Sequence, residues 1–161
     1  MKTILFVRHG KSSWEDNVSD KDRTLKQRGI DDAHLVSNAL KSSNTSIDYV
    51  FSSPANRALH TCIIFTRNLN LDLNKLQLSE ALYDFSGEQV LDFLKRVNDD
   101  YNTILVFGHN YALTTLVNKL GDRYIENVPT AGLTKIEFKV ASWQDITKGK
   151  TVEVIFPKDI R

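Results

Sequence analysis

Cysteine is nearly absent from this chain: Cys62 is the only one in 161 residues. That excludes an internal disulfide and any zinc cluster built on cysteine. Cys62 lies in an apolar helical pattern and reads as packing rather than as a nucleophile. Net charge is scarce too, +1 at neutral pH, so no global field draws in nucleic acid or an anionic membrane, and any anion site must be local. No apolar run approaches the roughly 18 residues of a membrane span. The run after Lys2 is cut short by Arg8 and His9 without a small-residue cleavage site, so no secretory signal is read and a soluble cytoplasmic protein is expected. There is no Pro/Gly-rich linker, repeat or low-complexity segment. At 41% hydrophobic and 25% charged residues, residues 1–161 read as a single domain able to bury a substantial core.

What is present begins with Thr3-Ile4-Leu5-Phe6-Val7, an apolar, β-branched run too short for a helix and suited to a strand buried on both faces. It stops abruptly at Arg8-His9-Gly10. Thr103 to Phe107 repeats the pattern and ends in Gly108-His109-Asn110. Shorter strands are expected at Tyr49–Phe51 and Leu76–Leu78. Residues 132–140 and 151–156 alternate, with Val152, Val154 and Phe156 inward, as an antiparallel hairpin at one side of the sheet. Residues 157–161 are expected to fray.

Helical patterns fill the intervals. Thr24-Leu25-Lys26-Gln27 has the form of a capping box, followed by Leu25, Gly29, Ala33, Val36 and Leu40 at helical spacing. Ser53-Pro54 has the form of an N-cap and first helical position, ahead of a helix with Arg57 in its first turn. His60 and Thr61 read as ordinary helix-surface residues there. Ser86 with Gln89 forms a second capping-box pattern, and Gly121 marks the stop of the helix after His109. Strands alternating with helices predict an α/β fold: a three-layer α/β/α sandwich with a mostly parallel central sheet and a C-terminal antiparallel hairpin.

In such sheets ligands bind beyond the carboxyl ends of the parallel strands. That edge collects Arg8, His9, Arg57 and His109. A cation in the first turn of a helix is unfavourable unless an anion binds there. A metal would be repelled by the two arginines and lacks a clear third ligand. A phosphate pocket fits better, with no metal and no cofactor. The chemistry that follows is nucleophilic: neutral His9, its pKa lowered by Arg8 and Arg57, attacks phosphorus, and water hydrolyses the phosphohistidine formed. Protonated His109 and the two arginines hold the phosphoryl oxygens. Glu80, or with less support Asp84, is the candidate proton donor. Ser12, Ser13 and Lys11 in the polar loop 11–23, and Asn110, stand either as further phosphate contacts or as solvated connector. Trp14 reads as a loop anchor packed onto the body.

Arg8-His9-Gly10, Ser53-Pro54-Ala55-Asn56-Arg57-Ala58 with Thr61, and Gly108-His109-Asn110 resemble the signatures of the histidine phosphatase superfamily, with its phosphoglycerate-mutase-like fold. Arg8 to Trp14 and Asp22-Arg23-Thr24-Leu25 with Gly29 are similar to the SixA-like phosphohistidine phosphatases within it. The resemblance implies that His9 is the nucleophile, that Arg8, Arg57 and His109 form the phosphate pocket, and that catalysis needs no metal. Around Glu80 the match to the mutase pattern is loose, and no insertion roofs the pocket. An open site suits a phosphohistidine on a signalling or phosphocarrier protein. A small phosphate ester is the alternative substrate, and a phosphate-recognition module without turnover the alternative function. A monomer that binds neither nucleic acid nor membrane is expected.

Overall fold

The structure, a computed structural model, describes residues 1–161. Six strands form one sheet: β1 (Lys2–Arg8), β2 (Tyr49–Ser52), β3 (Leu76–Leu78), β4 (Thr103–Gly108), β5 (Leu133–Phe138) and β6 (Lys150–Ile155). Their order is β3-β2-β4-β1-β5-β6. The first four strands of that order run parallel, β5 is antiparallel to β1, and β6 to β5. The two strands with continuous apolar centres, β1 (Ile4 to Val7) and β4 (Ile104 to Phe107), take the middle because only there are both faces covered.

The pleat sorts their side chains. Ile4, Phe6, Ile104 and Val106 face α3 (Glu88–Lys95) and α4 (Ala112–Leu120), while Leu5, Val7, Leu105 and Phe107 face α1 (Gln27–Ser42) and α2 (Asn56–Asn68). Each fully buried side chain of this size contributes about 1.5–3 kcal/mol, so the two faces fix the strand register as well as the layers. The fold is therefore the expected α/β/α sandwich with its C-terminal hairpin at one edge. No helix is long and apolar enough to cross a membrane.

Several local expectations are corrected. The Thr24–Gln27 capping box does not form, and α1 begins at Gln27 with Lys26 as an N-cap that makes no side-chain bond. Residues 24–26 are instead held extended against the loop, with Ser13 N–H donating to the Thr24 carbonyl and Lys26 N–H to the Lys11 carbonyl. Gly10 and Gly29 are the reason that the approach can be so close: a Cβ on Gly29 would stand 2.3 Å from the Lys11 oxygen, and one on Gly10 2.7 Å from the Gly29 oxygen. In β6 it is Thr151 and Ile155 that are buried, with Val152, Val154 and Phe156 half-buried. The chain end does not fray. Pro157–Ile160 forms a short helix, α5, and Arg161 is paired with the buried Asp32 of α1 at 2.9 Å.

Candidate active site

The parallel register pairs Arg8 with Gly108, so the next residues, His9 and His109, emerge side by side from the two central strands. Their ring centroids lie 5.3 Å apart. The His9 backbone is tied on both sides, its N–H to the Gly108 carbonyl at 3.2 Å and its carbonyl to Ala131 N–H at 3.0 Å. A further bond settles the ring: His9 Nδ1 is 2.7 Å from the Gly10 carbonyl. A carbonyl only accepts, so Nδ1 carries the proton and Nε2 holds a free lone pair. Gly10 N–H in turn donates to Thr61 Oγ1 at 2.9 Å, and that hydroxyl donates to the Arg57 carbonyl at 2.7 Å. Thr61 is thus buried and links β1 to α2, rather than lying on a helix surface.

Burial pushes the His9 pKa down to about 3 despite the Gly10 bond, with His109, Arg57 and Arg8 adding repulsion. The arginine effect expected from sequence is present, but burial is the larger cause. His109 is likewise pushed down to about 3, by burial first and then by Arg57 and Arg8, against an opposing pull from Asp20. At neutral pH both imidazoles are therefore neutral, where a protonated His109 is expected from the sequence. Its Nε2 meets Ser53 Oγ at 2.8 Å. This diverts Ser53 from the plain N-cap role: α2 starts at Asn56, and Ser53 Oγ accepts only from Ala55 N–H at 3.2 Å.

A cavity of about 350 Å³ opens beside these groups, lined by Arg8, His9 and Arg57 among others. His109 is 1% exposed and stands behind the lining, against His9 and Phe85. Three buried polar atoms here have no hydrogen-bond partner: Arg8 Nε, Arg57 Nε and His109 Nδ1. Buried donors are normally satisfied, so the two open guanidinium N–H groups in the cavity lining mark a place for an acceptor, with His109 Nδ1 behind them a third open position. Arg8 is otherwise anchored by Nη1 to the Val128 carbonyl at 2.9 Å.

The loop 11–23 builds the wall. Arg57 donates from Nη1 to the Asp20 carbonyl at 2.6 Å and from Nη2 to Asp20 Oδ2 at 2.9 Å. Asp20 also receives the Tyr83 hydroxyl at 2.5 Å and Arg23 Nη1 at 3.2 Å. Partial burial works to raise its pKa, but the Tyr83, Arg57 and Arg23 contacts prevail and hold it at about 2. Asp20 is the only carboxylate in the cavity lining.

The candidate proton donors lie elsewhere. Glu80 is a surface residue paired with Lys21 at 2.9 Å, its side chain 72% exposed, and it does not reach the cavity. Asp84 is buried but committed: it accepts from the N–H groups of Ser86, Gly87, Gln89 and Val90 at 3.0–3.1 Å. It, not Ser86 with Gln89, caps α3, where the chain turns through Gly87 at φ 100°. Ser12 lines the cavity and accepts from Arg23 Nη2 at 2.5 Å, leaving its own proton free. Asn110 also lines it, but its Oδ1 accepts from Thr114 N–H at 3.0 Å and its Nδ2 donates to Asn127 at 2.8 Å. Lys11 lines the cavity and Ser13 does not. No group of three or more His, Cys, Asp or Glu side chains is arranged to hold a metal ion.

Asp20, Arg23, Ser53 and Phe85 were missed as contributors to the site. Ser53 carried a signal, being polar at a strand end, and Arg23 one through the Asp22-Arg23-Thr24-Leu25 stretch. The others depend on where a polar loop and a turn fold back. Trp14, expected as a loop anchor packed onto the body, is instead 77% exposed, with Arg23 stacked 3.2 Å from its ring centre.

The chain belongs to the histidine phosphatase superfamily, branch 1, whose family pattern matches residues 4–87. It is similar to an uncharacterised protein of Mycobacterium tuberculosis, 29% identical over 153 residues, covering 89% of this chain and 93% of that one. It is also similar to a 2,3-bisphosphoglycerate-dependent phosphoglycerate mutase of Methylorubrum extorquens, 32% identical over 106 residues, covering 61% of this chain and 50% of the mutase. In fold it is SixA-like. The protein histidine phosphatase SixA complexed with tungstate superposes with a TM-score of 0.84 at 23% identity, over 99% of both chains. The ecdysone phosphate phosphatase of Bombix mori, also in complex with tungstate, gives a TM-score of 0.65 at 15% identity, over 95% of this chain and 92% of that one.

Proposed function

We propose that this protein is a phosphatase that takes a phosphoryl group onto Nε2 of His9 and passes it to water, acting on phosphohistidine of a signalling or phosphocarrier protein. The observation that carries the reading is the state of His9: a buried, neutral imidazole, fixed by the Gly10 carbonyl with its Nε2 lone pair free. Beside it stand the partnerless Nε atoms of Arg8 and Arg57 and the partnerless Nδ1 of His109, a donor set for the oxygens of a phosphoryl group. SixA and the insect phosphatase both hold tungstate, a tetrahedral oxyanion of related shape.

In the first step the Nε2 lone pair of His9 forms a bond to phosphorus while the bond to the substrate's imidazole nitrogen breaks. That imidazole, protonated on its other nitrogen, departs neutral. In the second step water attacks phosphorus, the His9–phosphorus bond breaks, and the water's two protons leave with dihydrogen phosphate. Arg8 and Arg57 balance the charge on the transferring oxygens, which is the work a metal would otherwise do, so catalysis is metal-independent. Asp20 keeps the terminal edge of Arg57 occupied, using two of its five N–H donors, so that Nε stays oriented toward the cavity.

The site lacks a carboxylic acid for the leaving group. Glu80 and Asp84 do not reach the cavity, and Asp20, held at about 2, is ionised at neutral pH. An alkoxide leaving from a phosphate ester needs such a proton, whereas a protonated imidazole does not. This favours phosphohistidine over sugar phosphates. The test is release of phosphate, in EDTA, from a phosphohistidine-bearing protein and from a panel of sugar phosphates. Strong preference for the protein is expected. Preference for one small ester would move the enzyme into small-molecule metabolism, and silence on both with phosphate still bound would leave a recognition module.

A further inference from the structure

We propose that Trp14 and Phe85 form an aromatic subsite at the mouth of the phosphate pocket, receiving the planar ring that carries the phosphoryl group. The two are the only apolar side chains in the cavity lining; every other lining residue is polar or charged. Both are solvent-exposed, Trp14 at 77% and Phe85 at 47%. An indole left outside the core forgoes most of the burial that its roughly 150–250 Å² of surface would supply. Isolated exposed aromatics need no explanation, but these two share one cavity, and each is fixed to a pocket residue. The guanidinium of Arg23, itself buried, stacks 3.2 Å from the centre of the Trp14 ring. It also donates to Ser12 Oγ and to Asp20. The Phe85 ring packs at 5.2 Å from His109 and edge-on at 5.1 Å to Tyr83, whose hydroxyl binds Asp20.

The consequence is a pair of rings held by the same residues that hold the phosphate clamp. Arg23 covers one face of the indole and leaves the other uncovered. A flat group joined to the phosphoryl meets π-surface on arrival, and offset or edge-to-face contacts with it discriminate rings from aliphatic chains. The subsite deepens the phosphatase reading and rests on it only for what is done to the ring's phosphoryl group. Binding itself is separable from turnover.

The test therefore uses two non-hydrolysable probes, phenylphosphonate and methylphosphonate, with inorganic phosphate as the reference, each titrated calorimetrically into the full chain. The wild type is expected to hold phenylphosphonate about 10-fold tighter than methylphosphonate. Trp14→Ala and Phe85→Ala are each expected to bring that ratio down to about 3 or below, and Trp14→Ala to leave affinity for inorganic phosphate at the wild-type level. Trp14→Phe is expected to restore most of the ratio and Trp14→Leu not to, since leucine keeps apolar contact with Arg23 but presents no ring face. Equal affinities of the wild type for the two phosphonates would overturn the subsite. So would a Trp14→Ala variant that loses inorganic phosphate and both phosphonates in the same proportion, which is the mark of a loop-holding role. A protein that discriminates the probes but hydrolyses nothing keeps the subsite and loses the phosphatase reading; one that hydrolyses phosphohistidine without discriminating does the reverse.

Discussion

The floor of the site and its wall are built by different rules. The floor consists of the ends of β1 and β4 and the first turn of α2, and its two β1 groups are locked by backbone contacts: His9 to Gly108, Ala131 and Gly10, and Arg8 to Val128. The wall is the loop 11–23 with the turn at Tyr83 and Phe85, held by side chains gripping one another, Asp20 to Arg57, Tyr83 and Arg23, and Arg23 to Ser12 and Trp14. The difference teaches where each property is stored. On the function proposed above, the phosphoryl acceptor, which needs fixed geometry, is anchored in the central sheet, and the groups that meet the rest of the substrate stand on a loop that can change without cost to the core.

That contrast is broken most severely at His9. His9→Ala is expected to abolish turnover, a fall of roughly 10³-fold or more, since the phosphoryl group loses its acceptor. Arg57→Ala is expected to cost about 10²–10³-fold, the scale of one preorganised donor. Both are read as kcat/KM on a phosphohistidine substrate. Asp20→Asn lies on the boundary of floor and wall. It keeps the shape but weakens the hold on Arg57, and a fall of about 10-fold is expected, with inorganic phosphate binding weakened alongside it. An unchanged phosphate affinity would show that Arg57 stands without the wall.

The two candidate acids separate in the same experiment. Asp84→Ala is expected to lose about 2 kcal/mol of stability by denaturant titration, because four N–H groups at the start of α3, those of Gly87 and Val90 buried, lose their acceptor. Glu80→Gln is expected to change turnover less than about 3-fold, since an exposed ion pair contributes little. A collapse of activity in Glu80→Gln, with sugar phosphates affected most, would restore the carboxylate to the mechanism.

A further effect concerns pH and belongs to the floor. His9 and His109 titrate near 3 in the folded chain against about 6.5 when unfolded. Between those values the unfolded chain binds more protons, so folding stability rises with pH across that window. The penalty is absent above pH 6.5, grows as pH falls toward 3 and is complete below it, with a slope of up to about 1.4 kcal/mol per pH unit for each histidine. His109→Asn is expected to flatten the slope in urea titrations at pH 4 to 7. An unaltered slope would contradict a neutral, buried His109.

The same division decides what was legible in the sequence. Strands β1 and β4 announce themselves as apolar runs that end in histidine, and Arg57 as a cation where a helix start disfavours one. Local pattern suffices, because a buried strand has a single way to end. Capping was harder. Ser53, Asp84 and Thr24 all sit near helix starts, yet Ser53 turns to His109, Asp84 takes four N–H groups, and Thr24 is held extended by the loop. For Ser53 and Thr24 the outcome depends on which distant partner competes with the helix start, and for Asp84 on a local turn through Gly87 that brings four N–H groups to one carboxylate. The wall was least visible. Whether Asp20 meets Arg57 or Trp14 meets Arg23 depends on how a 13-residue polar loop folds back, and hydrophobic periodicity is silent there.

The measurement that bears most directly on His9 is the capture of the covalent intermediate. The protein, mixed with a phosphohistidine donor in EDTA, is quenched in alkali within milliseconds, digested and mapped by mass. Phosphate on the peptide containing His9, absent from the His9→Ala protein and appearing no later than free phosphate, is the predicted result. Release of phosphate at the wild-type rate by His9→Ala, or rapid turnover with the label on another residue, would contradict it.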